Sequence, residues 1–434
     1  MRPTGTASIA ASERRTVVDV LRLLLGQRGV SEDRIELACA AVDLLLRRAV
    51  VRRPDGFVFV ITGDIPAMWL RDSAAQVGPL LALAPDVWSV VELVTGVLQT
   101  QVEQVLIDPR ANAFNPGPTR AAMRRDFRDQ SPWVYERKYA VDSLCAPLRL
   151  AWLIWQATGT VDHVDARFRE MARRIVALWR REQDHDPSLY VLRRRFGRRG
   201  GSLSHRGRGA PVAPTGMIWS GFRPSDDACV YGYHVPANAL AAVSLVRLAA
   251  LLETAGVDTS LAAEARALAE EIDAGILRHG IVDEPGGGRI YAYETDGRGN
   301  HMLLDDANVP SLISLPYLGC CARSDPVYLA TRAWALSPAN PLWVSGEQVH
   351  GLGSSHTRAG FVWPLGIAME GLTATTADER EDALLRIEAT LIPELLFHES
   401  VDATDPRRYT RAWFSWADML YVELVLASAG LICS

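Results

Sequence analysis

The stretch Ile218-Trp-Ser-Gly-Phe-Arg-Pro-Ser-Asp-Asp-Ala-Cys-Val-Tyr-Gly-Tyr-His-Val-Pro236 lies between two long segments, 161–182 and 236–255, whose apolar residues recur at three-and-four spacing. That spacing marks amphipathic helices, so a long loop is expected between them. The loop gathers Trp219, Phe222, Tyr231 and Tyr233 around Arg223 and the adjacent carboxylates Asp226 and Asp227. Adjacent carboxyl groups disfavour each other's ionisation, so one of the pair is expected to hold its proton unusually tightly. A protonated carboxyl beside aromatic faces is what a glycosidase uses as its general acid. The simpler reading is that Ser225, Asp226 and Asp227 cap the helix that follows.

Outward from this loop the chain reads as helix after helix. The periodic segments are 14–26, 33–50, 69–83, 88–107, 138–157, 161–182, 236–255, 259–278, 308–319, 326–335, 360–373, 379–395 and 412–430. Strand-like pieces occur near Gly56–Ile61 and Arg289–Tyr293, and clusters such as Asn115-Pro-Gly-Pro118 and Pro285-Gly-Gly-Gly288 punctuate the helices. An all-α fold follows. A closed toroid of helical hairpins suits alternating short and long loops, because inner helices bury against a central axis while the long loops build a pocket at one end. A solenoid would show a repeat period, and none is visible. No low-complexity linker divides the chain, so residues 1–434 are expected to form one catalytic domain with a disordered tail over residues 1–12.

Composition limits the function. Of the 434 residues 48% are hydrophobic and the net charge is −5. No global field attracts nucleic acid. No window holds 18 uninterrupted apolar residues, so no membrane span is expected, and no signal-like N-terminus is visible, which points to the cytoplasm. The six cysteines form no C-x-x-C pair, and no Cys or His cluster has zinc-ligand spacing. Among 46 basic side chains only Lys138 is a lysine. GC-rich coding favours arginine, so the surviving lysine reads either as chance survival or as part of a site that needs a compact ammonium.

Further polar residues stand among aromatics. Thr62-Gly-Asp-Ile-Pro-Ala-Met-Trp-Leu-Arg-Asp-Ser73 brings Asp64, Trp69, Arg71 and Asp72 to a helix start. Two readings are open there: a capped helix with a surface Arg–Asp pair, or a sugar subsite in which the charged side chains take vicinal hydroxyls while Trp packs on the ring face. Trp133–Asp142 places Glu136, Lys138 and Asp142 close in sequence, with Lys138 and Asp142 at i,i+4 spacing on one helix face. His356 sits in the glycine-rich run Gly351–Pro364. Phe397-His-Glu-Ser-Val-Asp402 carries Glu399, and Arg411, Trp413 and Trp416 follow. Glu399 is the natural partner for the Asp226/Asp227 pair: an acid protonates the leaving oxygen while a base deprotonates water on the opposite face. A rival reading takes Asp305, Asp306 and nearby Asn308 as a Mg²⁺ site similar to that of terpene cyclases. A second rival is a glycan-binding scaffold without activity.

Together, Ser220–Ala228, Trp69–Ser73, Glu136–Tyr139 with Asp142, Gly353–His356, Phe397–Ser400 and Thr410–Phe414 resemble glycoside hydrolase family 125. The resemblance spans residues 30 to 430. It implies an (α/α)6 barrel and an exo-acting, metal-independent α-mannosidase that favours α-1,6 links and inverts the anomeric centre. The implied partner is a mannose-containing oligosaccharide, with no metal or cofactor. By the same resemblance Asp226 is the general acid and Glu399 the general base, with Asp227 the alternative acid. Asp64, Arg71, Asp72, Arg223 and His356 match positions that bind the terminal mannose. Trp69, Glu136, Lys138, Asp227, Arg411 and Trp413 complete the candidate binding set. The chain departs from the family pattern at Ser355, where proline is expected, and at Asp418, where asparagine is expected. The basic, glycine-rich run Arg193–Gly201 reads most simply as an exposed loop; the alternative is that the Arg-rich segment 193–208 favours an acidic or phosphorylated glycan beyond the first sugar.

Overall fold

Helices dominate the computed structural model, which describes residues 7–122, 130–194, 201–284, 286–392 and 396–432. In chain order they are α1 (Ala11–Gln27), α2 (Glu32–Leu44), α3 (Leu70–Val77), α4 (Trp88–Ile107), α5 (Val141–Thr158), α6 (Ala166–Glu182) and the single turn α7 (Ser204–Gly207). There follow α8 (Val235–Thr254), α9 (Thr259–His279), the short α10 (Leu315–Leu318), α11 (Pro326–Ala335), α12 (Pro364–Leu372), α13 (Ala377–Glu388) and α14 (Ser415–Ser428).

Two classes of helix arise from two kinds of sequence. All nine residues of α12 are buried, as are most of α8 and α14, and a helix apolar all round belongs inside. These inner helices pack side by side: α3 on α5, α5 on α8, α8 on α10, then α12 on α14 and α14 back on α3. Around them lie α4 against α5 and α6, α9 against α8, α13 against α12, and α2 against α14; α4 is buried over much of its length, and the rest bury one stripe. In α6 the stripe runs Phe168, Met171, Ala172, Ile175, Val176 and Trp179, three or four residues apart. The outer helices α6, α9, α11 and α13 are capped by the side chains of Asp165, Asp258, Asp325 and Thr376. Each satisfies an amide of the first turn, a contribution of about 1 kcal/mol. Two helices, α4 and α8, are long and apolar enough to cross a membrane, but 67% and 72% of their most apolar windows are buried inside the fold.

Inner helices begin differently. Trp69, Trp363 and Phe414 precede α3, α12 and α14 without a side-chain cap. Short antiparallel strands lead into these starts. Met68–Trp69 pairs with Ala113–Phe114, which pairs with Val134–Glu136. Phe361–Val362 pairs with Ser400–Asp402, which pairs with Tyr409–Thr410. Tyr233–His234 pairs with Glu294–Thr295. The strands tie distant loops together where the inner helices start.

Several expectations need correction. The helix expected over 308–319 shrinks to Leu315–Leu318. Upstream, the Asp305 carboxylate accepts from the backbone N–H groups of Leu312 (2.7 Å) and Ile313 (3.0 Å) and holds that segment as a loop. The segment expected helical from 138 starts at Val141, so Lys138 and Asp142 are not i,i+4 neighbours on a helix face. The disordered tail does not extend over residues 7–12, because Ala7–Ser8 pairs with Val51–Arg52 and α1 begins at Ala11. Residues 1–6 of that expectation lie outside the described residues, as do 195–200 of the Arg-rich segment and 393–395 of the expected helix 379–395.

Candidate active site

A pocket of ≈ 780 Å³ opens where the inner helices start. Trp69, Arg71, Asp72, Glu136, Lys138, Asp226, His356, Glu399 and Arg411 all line it. Asp226 and Glu399, 173 positions apart in sequence, thus face one space.

Asp226 is held by its turn. The Arg223 N–H donates to the Asp227 carbonyl (2.8 Å) and the Asp226 N–H donates to the Arg223 carbonyl (2.9 Å). Asp226 takes φ 64°, a left-handed conformation that aspartate tolerates better than bulkier residues. The capping reading fails, since α8 starts at Val235 and its cap is His234. Burial pushes the Asp226 carboxyl up to about 6; Glu136 adds to the rise, while Lys138, Arg71 and His356 oppose it. A raised carboxyl was expected here, but from repulsion by Asp227, and that is not the cause. Burial also pushes Asp227 up, yet hydrogen bonds from His356 and Ser355 outweigh it and leave Asp227 below the usual range. His356 Nδ1 lies 3.3 Å from Asp227 and Ser355 Oγ 2.8 Å. Burial opposes the imidazolium, but the carboxylates of Asp227, Asp226 and Glu399 prevail and raise His356.

Glu399 lines the same pocket, one residue before the strand Ser400–Asp402. Thr410 Oγ1 donates to its Oε2 (3.0 Å), and Arg411 Nη1 stands 3.6 Å from Oε1. Arg411 is aimed by Asp64, whose Oδ1 accepts from its Nε (2.8 Å) and Nη2 (2.6 Å). Gly63 lets its turn approach the segment before α14, because a Cβ there would overlap the Trp413 carbonyl.

The floor is a charged lattice. Arg71 donates to Asp72 (3.1 Å) and to Asp142 (3.0 Å), and its guanidinium stands 5.4 Å from the Trp416 ring. Asp72 and Asp142 lie in the first turns of α3 and α5, where the helix dipole favours negative charge. The lone lysine is nearly buried: Lys138 Nζ lies 3.1 Å from Glu136 Oε1 and 5.6 Å from the Phe222 ring. Arg194 Nη2 also donates to Glu136 Oε1 (3.0 Å), so the described start of the Arg-rich segment supports the pocket wall.

Four candidates do not line the pocket. Asp64 and Asp227 act through Arg411 and His356 as described. Trp413 Nε1 donates to Asp418 (2.8 Å), whose other oxygen accepts from the Phe397 N–H (3.0 Å); burial pushes this carboxyl up to about 7. Arg223 lies beneath the Asp226 loop and is paired with Glu294. Glu294 also accepts from the backbone N–H groups of Val230 (2.8 Å) and Tyr231 (3.0 Å), so one fully buried carboxylate pins the loop at three points. Glu294→Ala is expected to cost about 3–5 kcal/mol in chemical denaturation, because it strands a buried guanidinium. A cost below ~1 kcal/mol would contradict this anchoring role.

Trp219, Phe222 and Tyr233 of 218–236 belong to the core instead of a sugar platform, and Tyr231 is half-buried outside the pocket lining. Trp219 is buried, with His185 stacked at 3.5 Å and Tyr139 at 6.2 Å. The pocket's aromatic faces are Trp69, Trp363, Phe414 and Trp416. Trp363 and Phe414, met in the sequence only as a neighbour of His356 and as the end of the Thr410–Phe414 motif, were not assigned to the site, and neither were Asn112, Thr410 and Glu294. An aromatic immediately before an inner-helix pattern is the signal that could have found the first two. The Mg²⁺ reading fails on partners: both Asp305 oxygens accept backbone N–H groups, and Asp306 accepts from Asn308 (2.8 Å) and Ser354 (2.7 Å). Among the described residues no group of three or more His, Cys, Asp or Glu is placed to hold a metal ion.

Comparison with known proteins adds three findings. The family described as metal-independent α-mannosidase (glycoside hydrolase family 125) matches residues 38–426. The meiotically up-regulated gene 157 protein of Schizosaccharomyces pombe is 39% identical over 389 residues, 85% of this chain and 76% of that protein. A Streptococcus pneumoniae metal-independent α-mannosidase, solved in a non-productive complex with α-1,6-mannobiose, superposes with a TM-score of 0.93 at 38% identity, covering 98% of this chain and 100% of that one. A mannosylglycerate hydrolase of Thermus thermophilus, at 15% identity and TM-score 0.50 over 89% of this chain and 99% of its own, shares the fold alone.

Proposed function

This chain belongs to glycoside hydrolase family 125, the metal-independent α-mannosidases, and from that premise we propose that it releases a terminal, non-reducing α-1,6-linked mannose with inversion. In this reading the helices form an (α/α)6 barrel. Asp226 is the general acid: its proton passes to the glycosidic oxygen as the bond from that oxygen to C1 breaks. Glu399 is the general base: it takes a proton from water as the water oxygen bonds to C1 from the opposite face. Arg71, Asp72, Lys138, His356 and Arg411 bind the sugar, with Trp69 against its ring. The observation that carries the reading is a carboxyl pushed up to about 6 sharing one pocket with a second carboxylate. The lowered carboxyl of Asp227, occupied by His356 and Ser355, argues for Asp226 as the acid. The α-1,6-mannobiose bound by the S. pneumoniae relative supports the linkage.

Inversion of an α-mannoside gives β-mannose first. Proton NMR during hydrolysis of α-1,6-mannobiose should therefore show the β anomer before mutarotation; initial α-mannose would mean retention and overturn the mechanism. The pH dependence has a definite sign. The acid works only when protonated, so kcat/KM should fall about tenfold per pH unit above a limb near 6. A profile flat to pH 9 would remove Asp226 from that role.

A further inference from the structure

Asn112 is almost fully buried at the back of the pocket and carries no charge. Its backbone is fixed on both sides: the Asn112 N–H donates to the Glu136 carbonyl (3.2 Å), and its own carbonyl accepts from the Leu70 N–H (3.1 Å). Its side chain is fixed too. Asn112 Oδ1 accepts from the Lys138 N–H (3.0 Å), which settles the amide orientation and turns Nδ2 toward two carboxyl groups. The two hydrogens on Nδ2 go one to Glu136 Oε2 (3.0 Å) and one to Asp226 Oδ1 (3.0 Å). Every donor and acceptor on the side chain is thereby directed by the fold. Asp226 Oδ2 has no hydrogen-bond partner among the described residues, and Asp226 lines the pocket.

An oxygen that accepts an amide hydrogen is a poor place for the acid's own proton. We infer that Asn112 is a positioning residue: its amide occupies Asp226 Oδ1 and keeps the transferable proton on Oδ2, the oxygen left free for the glycosidic oxygen. The same amide separates two neighbouring carboxyl groups that would otherwise compete for one proton. Glu136 receives Asn112, Arg194 and Lys138 and stays ionised, while Asp226 receives only Asn112 and carries the proton. The charged groups facing Asp226 are Lys138 and Glu136 from the segment before α5, Arg71 from α3, and His356 from the glycine-rich loop. Burial opposes the charge on Glu136, but Lys138, the Asn112 amide and Arg194 outweigh it and lower that carboxyl. This inference rests on Asp226 being the acid.

The test compares α-1,6-mannobiose, whose leaving oxygen needs a proton, with 2,4-dinitrophenyl α-mannoside, whose leaving group does not. Asn112→Leu, which keeps the size and loses both donors, should lower the ratio of kcat/KM for mannobiose to that for the aryl mannoside by about ten- to a hundredfold. The ratio is independent of the folded fraction, and Asn112→Ala, which leaves room for water, gives a second measure. Because both carboxyl groups lose a donor that favours their charged forms, the basic limb of the mannobiose profile should move to higher pH. Equal losses on both substrates, or an unmoved limb, would overturn the inference. Asp226→Asn run in parallel separates the two claims. If it lowers the ratio and the Asn112 variants do not, only the positioning role fails; if it leaves the ratio unchanged, the acid assignment itself fails.

Discussion

Asp226→Asn is expected to lower kcat on α-1,6-mannobiose by about 10²–10⁴-fold while KM changes by less than about threefold. The amide is the same size and remains within reach of Asn112, but it has no proton of suitable acidity to give. The alkoxide leaving group must then depart unaided. The carboxyl sits where burial and Glu136 favour the protonated form and Lys138, Arg71 and His356 restrain the rise, a balance that leaves it near 6. That value suits a group that must hold a proton near neutrality and still release it. Turnover above one-tenth of the parent rate would exclude Asp226 as the acid.

Glu399→Gln is expected to reduce kcat by a comparable factor, about 10²–10⁴, for a different reason. Thr410 and Arg411 hold the side chain in place, so glutamine should occupy the same position. What it loses is the ability to take a proton from water as that water attacks. Kinetic assay on mannobiose, with binding followed by calorimetry, separates this from loss of the sugar site. Abolished binding together with abolished turnover would make Glu399 a substrate ligand and leave the base unassigned.

Much of the architecture was legible because the outer helices announce themselves. One-sided stripes such as Phe168–Trp179 are local signals, whereas the cap Asp165 went unread and the expected 161–182 began before the true start at Ala166. Inner helices were harder to bound. In α12 every residue is buried, so no polar face marks its limits, and the expected 360–373 overran Pro364–Leu372 at both ends. The segment 308–319 was over-read because nothing local says that the Asp305 carboxylate will take the amides of Leu312 and Ile313.

The site divides the same way. Asp226, Glu399, Arg71, Asp72, Lys138 and His356 stood out because each is charged and surrounded by glycine or aromatic residues, and all of them line the pocket. Arg223 was assigned to the pocket by its match to a mannose-binding position of the family, whereas here it is buried beneath the Asp226 loop beside Glu294. Asn112 and Thr410 escaped notice since their importance lies in partners 114 positions away in one case and 11 in the other. The lone lysine lines the pocket. It supplies a compact charge between Glu136 and Asp226 in a space with little exposure.

The central claim is a division of labour between Asp226, which gives a proton to the leaving oxygen, and Glu399, which takes one from water. It is tested most directly by measuring kcat/KM of both variants on α-1,6-mannobiose and on 2,4-dinitrophenyl α-mannoside. The account predicts that Asp226→Asn recovers most of its lost activity on the aryl mannoside while Glu399→Gln stays impaired on both. Recovery by Glu399→Gln, or equal impairment of Asp226→Asn on the two substrates, would contradict it.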